Sequence, residues 1–132
     1  MIAIVDLARK PAQPSRTFIP RALPTPMISR QWRGIAKPGR AADYVHHLET
    51  HTFPALAKIP GFTRASVLKR EIGESTEFQI VTEWQSLDAV HGFAGADIGV
   101  AVVPEAARAL LASFDEYVVH YEIERTFEPT TG

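Results

Sequence analysis

From residue 28 the chain alternates. Ile28, Arg30 and Trp32 stand against Ser29, Gln31 and Arg33, and this period of two predicts a strand of about ten residues starting near Met27. Lys37-Pro38-Gly39 breaks it. From Arg40 the period turns helical, with Ala41, Tyr44, Val45, Leu48 and Thr52 on one side, and Pro54 predicts a stop or kink around Phe53. Ile59-Pro60-Gly61 reads as a turn. Phe62 to Arg70 and Glu77 to Trp84 then form a hairpin of two strands about Gly73. Ser86 is placed to cap a short helix from Leu87 to Phe93, with Leu87, Val90 and Phe93 on its apolar face. Gly92, Gly95 and Gly99 loosen the chain. Pro104 then suits the first turn of another helix, carrying Ala107, Leu110, Leu111 and Phe114 at helical spacing. Tyr117 to Glu124 alternates again and predicts the last strand, and residues 126–132 read as a frayed tail.

The order β-α-β-β-α-β predicts an α+β fold of the ferredoxin-like kind, a four-stranded antiparallel sheet with helices on one face. Its other face is expected to be partly apolar through Ile35, Ala65, Val67 and Val81. Covering that face calls for a second copy, and so a homodimer packed sheet to sheet.

Composition narrows the class. The 132 residues suit one domain, with 45% hydrophobic and 22% charged residues, as in ordinary globular chains. Zero Cys excludes disulfides, thiolate nucleophiles and Cys-ligated metals. A net charge of −1 offers no basic footprint for nucleic acid, and no apolar run is long enough for a membrane span. The expected location is the cytoplasm. Five of the ten prolines fall in residues 1–26, where four basic residues face one acidic. We read 1–26 as an extended proline-rich arm ahead of a domain at 27–125. Its first seven residues make a poor signal peptide; they suit a strand added to a sheet edge, in this subunit or a partner, or disordered chain.

Five strings then carry a resemblance: Ile59-Pro60-Gly61-Phe62, Trp84-Gln85-Ser86-Leu87-Asp88-Ala89, Phe93-Ala94-Gly95-Ala96-Asp97, Ala101-Val102-Val103-Pro104 and Val119-His120-Tyr121-Glu122. In order and spacing, the chain from Met27 to Glu124 resembles the antibiotic-biosynthesis-monooxygenase-like domains of the dimeric α+β barrel superfamily. The resemblance implies a homodimer and a small aromatic ligand. It also implies several activities: cofactor-free oxygenation of phenolic, polyketide or quinol compounds, haem degradation, or none known. In cofactor-free oxygenation the substrate supplies the electrons. The protein supplies a dry pocket, a proton acceptor and donors for the anion.

For that chemistry the pocket is expected between helices and sheet. Trp84 and Phe93 are candidates to line it, and His91 is the candidate proton carrier, against the plainer reading of a helix-boundary histidine. Asp97, after two glycines, is the candidate orienting carboxylate, or else a helix cap. Trp32, Tyr44 and His51 complete the expected binding residues. Arg30 shares a strand face with Ile28 and Trp32; buried there it needs an anionic partner, a protein carboxylate in the expected case or else a substrate anion. If Tyr121 turns toward the helices, His120 points to the dimer interface in a structural role. His47 and His51 stand one turn apart, but Glu49 occupies the wrong position for a metalloprotease helix, and no metal is expected. No cofactor is expected either. Haem degradation, which in family members uses an Asn on the first strand, is disfavoured because the chain contains no Asn. The function expected is therefore cofactor-independent monooxygenation of a small aromatic, phenolic or quinol-type compound. The alternative is a ligand-binding or stress-response protein of the same fold.

Overall fold

The computed structural model describes residues 25–130. The arm expected over 1–26 therefore lies almost wholly outside the described residues.

Strand β1 (Ile28–Ala36) is the centre of an antiparallel sheet. On one side it pairs along its whole length with β3 (Ser75–Trp84), which in turn carries β2 (Phe62–Ile72) at the edge. On its other side two short strands share the place of one. β5 (Val119–Glu122) covers Ile28–Gln31, and β4 (Leu111–Phe114) covers Gly34–Ala36 across a bulge. Among the described residues the sheet thus has five strands rather than four. The helix expected to run through Leu110, Leu111 and Phe114 stops early, since α4 spans only Glu105–Arg108. The reason is the edge: β5 ends opposite Gln31, so the far half of β1 would be left with unpaired backbone groups. The same apolar residues serve a strand, with Leu111 buried opposite Ala36 and Phe114 opposite Gly34.

The first crossover is one continuous helical rod of three parts. α1 (Ala41–His47) runs into a π-helical stretch at Leu48–Thr52 and then into α2 (Phe53–Ala57). Pro54 does not end the rod. Its ring would press on the carbonyl four residues back, and it offers that carbonyl no N–H. The widened turn is the accommodation, with the Phe53 N–H reaching the Leu48 carbonyl five residues earlier. α3 (Leu87–Ala94) is capped by the Ser86 hydroxyl, which accepts from the Ala89 N–H at 3.1 Å. Before it, Gly61 sits at φ +93°, and a Cβ there would lie 2.4 Å from that of Ala89, so only glycine lets the turn approach α3.

Register fixes which side chains face the helices. Ile28, Arg30, Trp32, Gly34 and Ala36 do so from β1, opposite Trp84, Thr82, Ile80, Phe78 and Thr76 of β3. Ala65 and Val67 pair with Thr82 and Ile80, so they too face inward, and Val67 packs on the core; the expectation that they lie on the open face is corrected. The open face carries Ile35, Val81, Leu68, Ile72, Val119 and Tyr121 around a charged centre. There Glu77 is bonded by Arg70 at 2.6 Å and Arg33 at 3.4 Å. No helix among the described residues is long and apolar enough to cross a membrane.

Candidate functional site

Between the helical rod and the sheet lies a cavity of about 400 Å³. Arg30, Trp32, Ile80 and Thr82 rise into it from the sheet. Tyr44, His47, Leu48, His51, Thr52, Phe53 and Leu56 descend from the rod. Phe93 of α3, the chain from Ala101 to Pro104, and Val118 close the sides. The lining is overwhelmingly apolar, as small-ligand sites are, with a few polar groups set into it.

Trp32, Tyr44, His51 and Phe93, chosen from the sequence, all line this cavity. The Trp32 indole donates to the Asp115 carbonyl at 2.6 Å, and its ring lies over Gly34, where a Cβ would come within 3.0 Å of it. Tyr44 is buried against Phe78, and that burial pushes its phenol above the ordinary range, so it remains a neutral hydroxyl. Trp84 sits one layer back. It is fully buried, its indole donates to the Thr82 hydroxyl at 2.9 Å, and it stacks behind Phe93 at 5.8 Å. His91 and Asp97 fall outside the lining. His91 is exposed near the end of α3 and donates from Nδ1 to the Gly95 carbonyl at 2.8 Å. Asp97 opens the turn to Val100, whose N–H its carbonyl accepts at 3.3 Å; no helix follows for it to cap.

Two imidazoles stand together on the rod. The rings of His47 and His51 stack at 5.2 Å. The Thr50 hydroxyl donates its proton to the His46 carbonyl at 2.8 Å, so it accepts from His51 Nδ1, also at 2.8 Å. That network places a proton on His51 Nδ1. His47 Nε2 is buried without any partner among the described residues. Burial, and secondarily the neighbouring His51, holds His47 below the ordinary imidazole range, so it is neutral at pH 7. Among the described residues no three His, Asp or Glu gather into a metal site.

On the opposite wall, Arg30 and His120 form the pair that sequence reasoning left apart. β5 pairs His120 with Arg30 and Tyr121 with Ser29, so His120 points inward and Tyr121 outward, the reverse of the orientation weighed from the sequence. His120 Nε2 lies 2.9 Å from Arg30 Nη1. A guanidinium can only donate, so this nitrogen accepts and the ring is neutral with its proton on Nδ1. Burial pushes His120 down, and Arg30 and His91 push it further. Arg30 itself is only 5% exposed. It donates to the carbonyls of Ile98 at 2.6 Å and Val100 at 3.3 Å, and lies over the Phe93 ring at 5.5 Å. None of these partners is the carboxylate expected for it. The period of β1 was the signal that placed Arg30 inside; for His120 only the pairing of β5 decides.

The family profile described as antibiotic biosynthesis monooxygenase matches residues 27–102. Among solved structures the chain is similar to a protein of unknown function from Nitrosomonas europaea, at 20% identity over 82% of this chain and 99% of that one, with a TM-score of 0.59. It is similar to SnoaB, a cofactor-independent oxygenase from Streptomyces nogalater, at 19% identity over 80% and 100% of the two chains, TM-score 0.56. A heme-degrading protein from Mycobacterium tuberculosis follows at 22% identity over 80% and 100%, TM-score 0.51. Likeness at these identities is likeness of fold. No curated protein matches the chain.

Proposed function

The chain belongs to the antibiotic biosynthesis monooxygenase family, and from that premise we propose that it oxygenates a small aromatic, phenolic or quinol-type compound in the cavity, without a cofactor. The observation that carries the reading is the buried His47 Nε2, unpartnered among the described residues, in a mainly apolar chamber. A neutral imidazole keeps one ring nitrogen unprotonated, and in the tautomer that leaves it at Nε2 it takes a proton from a phenol or an activated ring carbon. His51, stacked on it at 5.2 Å, is the next ring along the rod. The anion left behind is electron-rich enough to reduce oxygen. For a ring methylene the balance closes within the pair of reactants: CH₂ and O₂ give C=O and H₂O, both hydrogens leaving in the water. Trp32, Tyr44, Phe53 and Phe93 hold the ring and keep water from the anion.

The reading extends to the assembly. Leu68 is 51% and Tyr121 55% exposed on the face away from the helices, with Ile72 and Val119 also bare. A second copy packed on that face would remove them from water.

Oxygen uptake with a panel of dihydroxyarenes and ring-methylene compounds tests the reading. The parent is expected to consume oxygen with at least one, and His47→Leu to slow it about a hundredfold, the usual worth of a positioned base. A loss confined to His91→Ala would move the proton to His91 instead. A parent that binds the panel and consumes no oxygen with any of it is a binder, and the proposal fails.

A further inference from the structure

Proton acceptance at His47 leaves Arg30 without a task. Taking a guanidinium out of water is costly, and the usual offset is a carboxylate. This chain supplies that offset elsewhere in the same sheet, where the buried Glu77 is shared by Arg33 and Arg70. Arg30 receives two carbonyl oxygens, a neutral imidazole and the face of Phe93 instead. Each offers a partial charge and none a whole one. Burial lowers Arg30 to about 10, so it still carries its proton at pH 7. Of its five N–H donors, three are taken by Ile98, His120 and Val100. The Nε–H and one Nη2–H have no partner among the described residues, and the side chain lines the cavity. Glu122, the nearest carboxylate along β5 on the same face, pairs across to Ile28 and is exposed. Among the described residues the cavity wall therefore holds one fixed positive charge with donors to spare, bonded to neutral groups.

We infer that the cavity takes an aromatic monocarboxylate: its carboxylate oxygens meet the spare donors of Arg30 on the sheet wall, and its ring lies among Trp32, Phe93 and Phe53. A single guanidinium matches a single negative charge. Among the described residues no lysine lines the cavity, so a doubly charged phosphate would remain half compensated by Arg30. Phe93, backed by Trp84, and His120, held by its own bond to the guanidinium, fix the plane of Arg30 before ligand arrives. The inference rests on reading the cavity as the ligand site, and it names the class of substrate that site selects. It also sets the ligand's direction, with the acid end at β1 and the reacting end toward the histidines of the rod.

Anaerobic titration calorimetry on the full chain tests it, with 2-naphthoate against 2-naphthamide, which share one ring system. The parent is expected to bind the carboxylate about ten- to a hundredfold more tightly, the factor a charge-assisted hydrogen bond carries. Arg30→Gln is expected to erase the difference, and Arg30→Lys to keep part of it. Equal affinities in the parent overturn the inference, and that comparison needs no variant to fold. Because no oxygen is present, a failed oxygenation reading leaves the result untouched. Conversely, equal affinities beside normal oxygen uptake would remove the acid site alone.

Discussion

His47 and His120 are neutral for related reasons, and both tie stability to pH. Burial is the first cause in each; His51 adds to it for His47, and Arg30 and then His91 for His120. In the unfolded chain an imidazole titrates near 6.5, above either folded value. The unfolded state therefore binds more protons in that window, and stability rises with pH through it. The contribution is complete above 6.5 and is lost as the pH falls through the lowered folded values. Urea midpoints between about pH 5 and pH 8 are expected to fall on the acid side and level off above neutrality. His47→Gln is expected to flatten part of that slope, and a midpoint already constant across the range in the parent would contradict this account. Legibility at this scale divided along one line. Trp32, Tyr44, His51 and Phe93 were readable as cavity residues because strand and helix periods place them. The inward turn of His120 was not, since either face of a short alternating strand satisfies the same pattern.

Elements were legible where a breaker or a cap marks them. Ser86 announced α3, and Gly73 the hairpin. The stretch from Ala107 to Phe114 deceived because four apolar residues in so short a span fit a helix and a strand equally, and the unpaired half of β1 decided between them. Pro54 is the more instructive case. It marks a local change in the rod without ending it, and the π-turn it demands is where Leu48, His51 and Thr52 reach the cavity, with His47 just before it. Pro54→Ala restores an N–H to the rod and allows an ordinary α-helical repeat, which swings the residues before it around the axis. The expected outcome is a helix as stable or more so, with ligand affinity lowered about tenfold or more as the histidine wall turns away. Calorimetric titration beside thermal melting checks it; unchanged affinity would show that the widened turn does not position the site.

At the scale of the whole molecule the proposed dimer rests on the open face of the sheet. A single chain of 14.6 kDa would leave Leu68, Ile72, Val119 and Tyr121 in water around the Glu77 ion cluster. Light scattering is expected to give twice the chain mass at micromolar concentration, and Tyr121→Glu with Leu68→Glu to give the single mass, through two buried charges without partners. A parent that scatters as one chain would leave the face unpartnered. The α+β class and the place of the cavity between helices and sheet were determined by the sequence itself, because apolar period and turn residues are local properties that survive without knowledge of neighbours. The tertiary structure alone decided the split fourth strand, the inward turn of His120 and the isolation of Arg30. Those depend on which edge of β1 each distant segment reaches, and a charge is compensated or left bare only by what is brought beside it.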